Sequence, residues 1–274
     1  MVEARVALQS IGQLPDGEID LADAALQLAR IDAPQADWQA ARRALSALAR
    51  GAVARAGGLG ADDLPGRAAA LAGLLEELGY AGDRDRYDDP ANANLIHVLE
   101  RRRGLPVALG ILWLHAARAA GWGAHGVDFP GHFLLALTGR GEQMVLDVFA
   151  GGVALDAPDL RRLLKRAEGP QAELRPGMLR PMGARAVLLR LQNNIKVRRL
   201  AAHDLAGALA CAEDMLRIAP EEAMLWRETA LFNQRLDRVG AALDCFAEFL
   251  RLVPSGEAAT RVRTAMEELR SRLN

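Results

Sequence analysis

An internal repeat near the end of the chain constrains the fold more than any other feature. Ala208-Leu209-Ala210-Cys211 recurs as Ala242-Leu243-Asp244-Cys245, and Met215-Leu216-Arg217-Ile218-Ala219-Pro220 recurs as Phe249-Leu250-Arg251-Leu252-Val253-Pro254. The offset is 34 residues throughout. A unit of that length holds two helices and a turn, and it cannot bury its apolar face alone, so successive units must stack. Ala208 and Ala242 are small enough for paired helices to approach closely, and each proline ends the second helix of its unit. Trp226 and Ala230 supply the large and the small residue that the first helix of the second unit needs, and Leu231, Leu236 and Phe246 add packing. A last helix over about 256–273 is expected to cap the stack. Residues 184–274 therefore read as all-α, and the equivalent cysteines as buried small hydrophobes.

The first 103 residues read as successive helices. Asp20 caps one that carries Leu21, Ala24, Leu26 and Leu28 and ends near Ile31. A second starts at Asp37 and carries Trp38, Leu45, Leu48 and Val53, and a third runs from Ala68 to Leu78 with Gly79 as its C-terminal cap. Asp89-Pro90 offers a cap and an N1 proline for a fourth, with Leu95, Val98 and Leu99 on it. Arg101-Arg102-Arg103 then suits the negative end of that helix.

The texture changes at Pro106, which again suits N1. Leu109, Leu112, Trp113 and Ala116 form the buried stripe of a helix that Gly121 and Gly123 end. Extended segments follow at 124–127, 132–137 and 143–149, the last two joined by Thr138-Gly139-Arg140-Gly141. One face of this small antiparallel sheet needs cover, and the 106–120 helix is its natural partner. Asp156 caps a helix through Leu164, and the Pro- and Gly-containing stretch 169–183 reads as an interdomain linker. The fold class is thus α+β over residues 1–180, followed by helices.

Bulk properties narrow the function. Net charge is −1 in a chain with 25% charged residues, so no global field draws it to nucleic acid or anionic lipid. No segment is long and apolar enough for a membrane span, and the start has no basic region followed by an apolar core. Cys211 and Cys245 form no metal motif, and His97, His115, His125 and His203 form no ligand pair with carboxylates at a recognised spacing. The expectation is a cytoplasmic protein with no metal and no cofactor.

The chain resembles the SirB-type family, a transglutaminase-like, papain-like domain followed by tetratricopeptide repeats. The resemblance rests on Asp20-Leu21-Ala22, Tyr87, Asp89-Pro90, Asn92-Ala93-Asn94-Leu95 and the run Val98 to Pro106. It continues with Pro130-Gly131-His132-Phe133-Leu134, Leu146-Asp147-Val148-Phe149, Gly151-Gly152 and Leu191-Gln192-Asn193-Asn194-Ile195-Lys196. Active members of the wider superfamily use a Cys-His-Asp triad, with the Cys at a helix start where the helix dipole and a nearby His lower its pKa. The resemblance puts that Cys at Pro106, the His at His132 and the Asp at Asp147. Pro106 looks like a family trait, and Ala108 stands where relatives often carry a hydroxyl.

From Gly104 to Leu114 there is no Cys, Ser or Thr. Acyl transfer needs an activated nucleophile beside its base, and proline supplies neither a nucleophile nor an oxyanion-binding N–H. No residue is therefore assigned as catalytic. Asn92, Asn94, Arg102, Gly131, His132, Phe133 and Asp147 are the candidates for lining a cleft that binds a ligand. The expected function is non-catalytic binding of a protein or peptide partner, with no nucleic acid and no membrane; the sequence does not fix the oligomeric state. The competing expectation is a hydrolase or amide-bond enzyme of altered mechanism that uses His132 and Asp147.

Overall fold

The computed structural model describes residues 2–271. Two compact units form: Pro15–Leu191, and Val2–Leu14 together with the chain from Gln192 onward. Helix α1, Val2–Gln13, therefore belongs with the repeats and not with the residues that follow it.

The first unit begins with helices whose starts are read directly from their caps. The Asp20 carboxylate accepts from the N–H groups of Ala22 and Asp23 at the start of α2, Leu21–Asp32. Asp37 caps α3, Trp38–Arg55, and Asp63 caps α4, Leu64–Glu77. Gly79, at φ 79°, ends α4: its N–H reaches Glu76 C=O, and the Tyr80 N–H reaches Leu75 C=O. Two short strands, β1 (Ala81–Gly82) and β2 (Arg103–Gly104), pair in parallel. Between them the expected fourth helix is two elements. Asp89 caps a single 3-10 turn, Pro90–Ala93, and the Asn94 side chain then starts a fresh cap for α5, Leu95–Arg101.

Helix α6, Pro106–Ala119, is buried along most of its length and ends as α4 does, on Gly121. Its N–H donates to Arg118 C=O, and the Trp122 N–H to Ala117 C=O. That termination is the bonded glycine cap, with the left-handed residue just beyond the last turn. The sheet follows: β3 (Gly123–Phe129), β4 (His132–Gly139), β5 (Glu142–Asp147), β6 (Val153–Leu155) and β7 (Pro181–Met182). The order is β6-β5-β4-β3-β7, antiparallel throughout.

One side of the sheet meets α6, where the Phe133 ring fits against Gly110, and Trp113 packs on Gly152. The other holds Val127, Phe129, Leu134, Ala136 and Val145 against Leu160 and Leu164 of α7, Ala157–Glu168. Asp156 and Asp159 form a reciprocal capping box at the start of α7. The stretch 169–183 is not an interdomain linker. Leu174, Met178 and Leu179 pack on the α7 cluster, and Pro181–Met182 add a strand to the sheet. Its prolines and glycines shape turns over an apolar surface, and burial of those three side chains holds the segment down. The division between units falls after Leu191, inside α8 (Ala184–Ala201), where sequence had placed it between 180 and 184.

The second unit contains α9 (Leu205–Ile218), α10 (Ala223–Arg235), α11 (Val239–Leu252) and α12 (Glu257–Ser271). Ala208 and Ala242 are fully buried, and Ala230, Phe246 and Phe249 pack with Val262, Met266 and Leu269 of α12. Trp226 anchors the second repeat by donating its indole N–H to Pro220 C=O at 2.7 Å. Leu273, the expected end of the last helix, lies outside the described residues. Helix α1 packs on α9 through Ala4 and Leu8, and Arg5 Nε meets the buried Asp214 carboxylate at 3.1 Å.

Candidate functional site

Two of the three residues expected to form a remnant triad, His132 and Asp147, meet at one end of the sheet. β4 begins at His132 and β5 ends at Asp147. Phe149, two residues on, sits against Gly82, which pairs with Gly104 immediately upstream of Leu105 and Pro106. Pro106 is buried at the first position of α6, where its missing N–H costs nothing, because the opening N–H groups of a helix have no intrahelical acceptor.

His132 Nε2 and Asp147 Oδ2 are 3.2 Å apart. Asp147 Oδ1 accepts the N–H groups of Phe149 at 3.0 Å and Ala150 at 3.1 Å, so the carboxylate also ties the turn after β5. Burial pushes the Asp147 carboxyl up, but the hydrogen bond and charge of His132 and the Ala150 and Phe149 N–H groups outweigh it; the net shift is downward. An ionised carboxylate thus orients the imidazole. The pair has the hydrogen-bonded geometry of an imidazole and its orienting carboxylate.

The other candidates fall elsewhere. Asn94 is buried as a helix cap: its Oδ1 takes the N–H groups of Ile96 and His97, while its Nδ2 donates to Ala29 C=O at 3.1 Å. Phe133 is core, held between Gly110 and Gly126. Arg102 is exposed, with φ 58° at the C-terminal end of α5, beside Gly79. Gly131 makes the turn between β3 and β4 at φ 66°, with Ala167 of α7 against it. Asn92 is fully buried and serves the backbone, its Nδ2 donating to Arg86 C=O at 2.6 Å and its own C=O accepting from the Leu105 N–H. Its Oδ1 has no hydrogen-bond partner among the described residues.

A cleft of about 440 Å³ adjoins this end of the sheet, lined among others by Tyr80, Arg84, Leu109, Trp113, Phe149 and Gly151. None of the seven candidates lines it. Phe149 also meets Tyr87 edge-on, ring centres 5.8 Å apart, and Tyr87 is 46% exposed. On the neighbouring strand Arg190 of α8 pairs with Asp128, and its guanidinium stands 6.0 Å from the Phe133 ring; burial lowers the Arg190 pKa. From sequence Trp113 reads only as part of the buried stripe of α6, and Tyr87 and Phe149 only as positions shared with the resembling family. An aromatic residue just past the Asp of a strand end was the available signal.

Arg101-Arg102-Arg103 is structural. Arg101 bridges Asp83 at 3.3 Å and Asp89 at 3.0 Å, and Arg103 donates to Gly79 C=O. His115 donates its Nε2–H to Leu45 C=O at 3.1 Å. Among the described residues no group of three His, Cys, Asp or Glu side chains is placed to hold a metal ion, and no helix is long and apolar enough to cross a membrane.

Residues 39–193 match the model of the transglutaminase-like superfamily, and residues 195–267 that of the tetratricopeptide repeat. A UPF0162 protein of Xylella fastidiosa (strain Temecula1) is 33% identical over 199 residues, 72% of this chain and 71% of that one. A UPF0162 protein of Vibrio cholerae is 30% identical over 197 residues, 72% of this chain and 73% of its own. F-box only protein 21 of Homo sapiens is 37% identical over 76 residues, 28% of this chain and 12% of that protein. With its helical first unit, its five-stranded sheet and the paired helices beyond, the chain belongs to the transglutaminase-like superfamily, in the UPF0162 (SirB-type) group that carries tetratricopeptide repeats.

Proposed function

We propose that this protein binds a peptide segment of a partner, in the cytoplasm, without covalent chemistry. The observation that carries the reading is Pro106, buried at the first position of α6 where the superfamily's nucleophile would stand. Neither Cys, Ser nor Thr occurs from Gly104 to Leu114, so no neighbouring side chain substitutes. The aromatic-lined cleft at Phe149 and the repeats, whose usual work is gripping partner segments, support binding as the retained role.

The test is panning displayed random peptides against the full chain. Enriched peptides should lose about tenfold or more in affinity with Phe149→Ala or Arg84→Ala, both in the lining of the cleft. No enrichment, or peptides indifferent to both substitutions, would overturn the reading.

One observation favours a second reading: His132 and Asp147 are hydrogen-bonded, as a base and its orienting acid would be. A hydrolase that activates water through His132 predicts turnover of an amide or ester substrate, abolished by His132→Ala in a folded protein. Blank screens across peptide, amide and ester substrates remove it.

A further inference from the structure

The outer edge of β3 has only a partial neighbour. Pro130-Gly131, with Gly131 at φ 66°, joins Phe129 to His132, and these two face each other across β3 and β4. In a two-residue hairpin the residues flanking the turn exchange backbone hydrogen bonds, and bonded and non-bonded pairs then alternate along the ladder. Val127, His125 and Gly123 therefore turn their N–H and C=O groups towards β4, while Asp128, Gly126 and Ala124 turn theirs to the outer edge.

On that edge β7 supplies two pairs, Gly126 with Met182 and Val127 with Pro181. Pro181 fits this parity, because its pair with Val127 is the one that needs no N–H on this side. After Met182 the chain turns away at Gly183 into α8. The ladder stops short of Ala124, leaving its N–H and C=O directed outward.

Ala124 lines a cleft of about 620 Å³ within the first unit. Ile19, Leu114, Met182 and Val187 give it apolar walls, and Arg118, Asp16 and Asp20 give it charge. Both carboxylates are engaged. Asp16 accepts the Arg185 N–H at 2.9 Å, with the Arg185 guanidinium nearby, and Asp20 caps α2. Arg118 donates to Ile19 C=O at 3.2 Å and has no carboxylate partner among the described residues. The wall thus combines one backbone donor, one backbone acceptor, a guanidinium with no direct ion-pair partner among the described residues and an apolar pocket.

We propose that this cleft, distinct from the His132 end of the sheet, binds an acylated α-amino acid carboxylate with an apolar side chain. The ligand's amide N–H donates to Ala124 C=O. Its carboxylate accepts the Ala124 N–H and pairs with the Arg118 guanidinium, a charge-assisted contact that is stronger than a neutral one. Its side chain lies among Ile19, Leu114 and Val187. A free N-acyl amino acid and the C-terminus of a peptide present the same groups.

The test titrates isotope-labelled full-length protein with N-acetyl-leucine, N-acetyl-leucinamide, free leucine and an acetylated tetrapeptide ending in leucine, followed by NMR. N-acetyl-leucine should shift the Ala124 amide saturably, with a Kd of about 1 mM or below. N-acetyl-leucinamide and leucine should each bind about tenfold more weakly, and Arg118→Gln should erase the advantage of the acid over the amide. Tighter binding of the tetrapeptide assigns the site to peptide C-termini, and equal binding assigns it to the free acylated amino acid. Ala124→Pro removes the outward N–H at an edge position and should abolish binding; if it fails to fold, the Arg118→Gln comparison stands. Equal affinity for acid and amide, binding unchanged in Arg118→Gln, saturable shifts that spare Ala124, or no binding by about 10 mM would each overturn the proposal.

Discussion

Gly110 of α6 lies so close to the ring of Phe133 on β4 that a Cβ in its place would overlap it. Gly126 of β3 approaches the same ring from the sheet. Two glycines thus make room for one aromatic side chain, and that side chain sets the spacing between helix and sheet beside His132. Gly110→Ala gains up to about 1 kcal/mol of helix propensity but forces a packed core apart, which costs about 1–3 kcal/mol. The expected outcome is net destabilisation, seen as a lower urea midpoint with an unchanged slope.

Asn94 joins two helices through one side chain. It caps α5 by accepting two N–H groups and holds α2 by donating to Ala29 C=O. Asn94→Ala removes the cap and strands a buried carbonyl, so a loss of about 2–3 kcal/mol is expected from chemical denaturation. Asn94→Asp keeps the acceptor but turns a buried carboxylate oxygen on Ala29 C=O and the Asp32 carboxylate, so at neutral pH it should cost at least as much as Asn94→Ala.

The pH dependence of stability follows from Asp147. Its carboxyl titrates below its ordinary value when folded, so the ionised form favours the native state. That contribution is complete above the unfolded pKa of about 4 and is lost as pH falls through the lower folded value. Urea midpoints of wild type and Asp147→Asn should differ most at neutral pH and converge in acid. A difference that stays constant down to the lowest pH at which both fold would contradict this assignment.

Cys245 should be inert. Burial first, then the charges of Asp244 and Glu213, push its thiol up to about 11, and both cysteines are buried at equivalent repeat positions. A thiol reagent at pH 8 should therefore find no reactive cysteine in the native chain and two in denaturant.

Local chemistry was legible wherever a single side chain decides a local event. Asp20, Asp37 and Asp156 announced helix starts, Gly79 and Gly121 announced ends, and the 34-residue offset announced the stacked pairs. The His132–Asp147 pair was anticipated only through the family resemblance; the β4–β5 hairpin is what brings the two strand ends together. Errors arose where a residue type serves two purposes. Asn94 looked like a polar cleft residue, yet an asparagine before an apolar run is equally a cap, and Phe133 beside His132 is core because strand neighbours face opposite ways. The stretch 169–183 read as a linker because its turns carry proline and glycine, while Leu174, Met178 and Leu179 that fasten it are too sparse to form a period. Ala124 gave no signal, because an unpaired backbone edge depends on where β7 stops, not on side chains.

The position of α1 has a consequence for how the chain is made. Its contacts lie with α9, whose Asp214 comes 209 residues after Arg5, and Gly12 admits the Arg217 carbonyl so closely that no larger residue fits. The first unit is one continuous stretch and can assemble as soon as Leu191 has been synthesised. The second is discontinuous, so its earliest segment must wait, without its packing partner, until α9 emerges. A ribosome moving at about 5–20 residues per second spends roughly ten seconds or more between the two halves of that one interface. During that interval Ala4 and Leu8 of Val2–Gln13 lack the α9 surface that buries them in the folded chain.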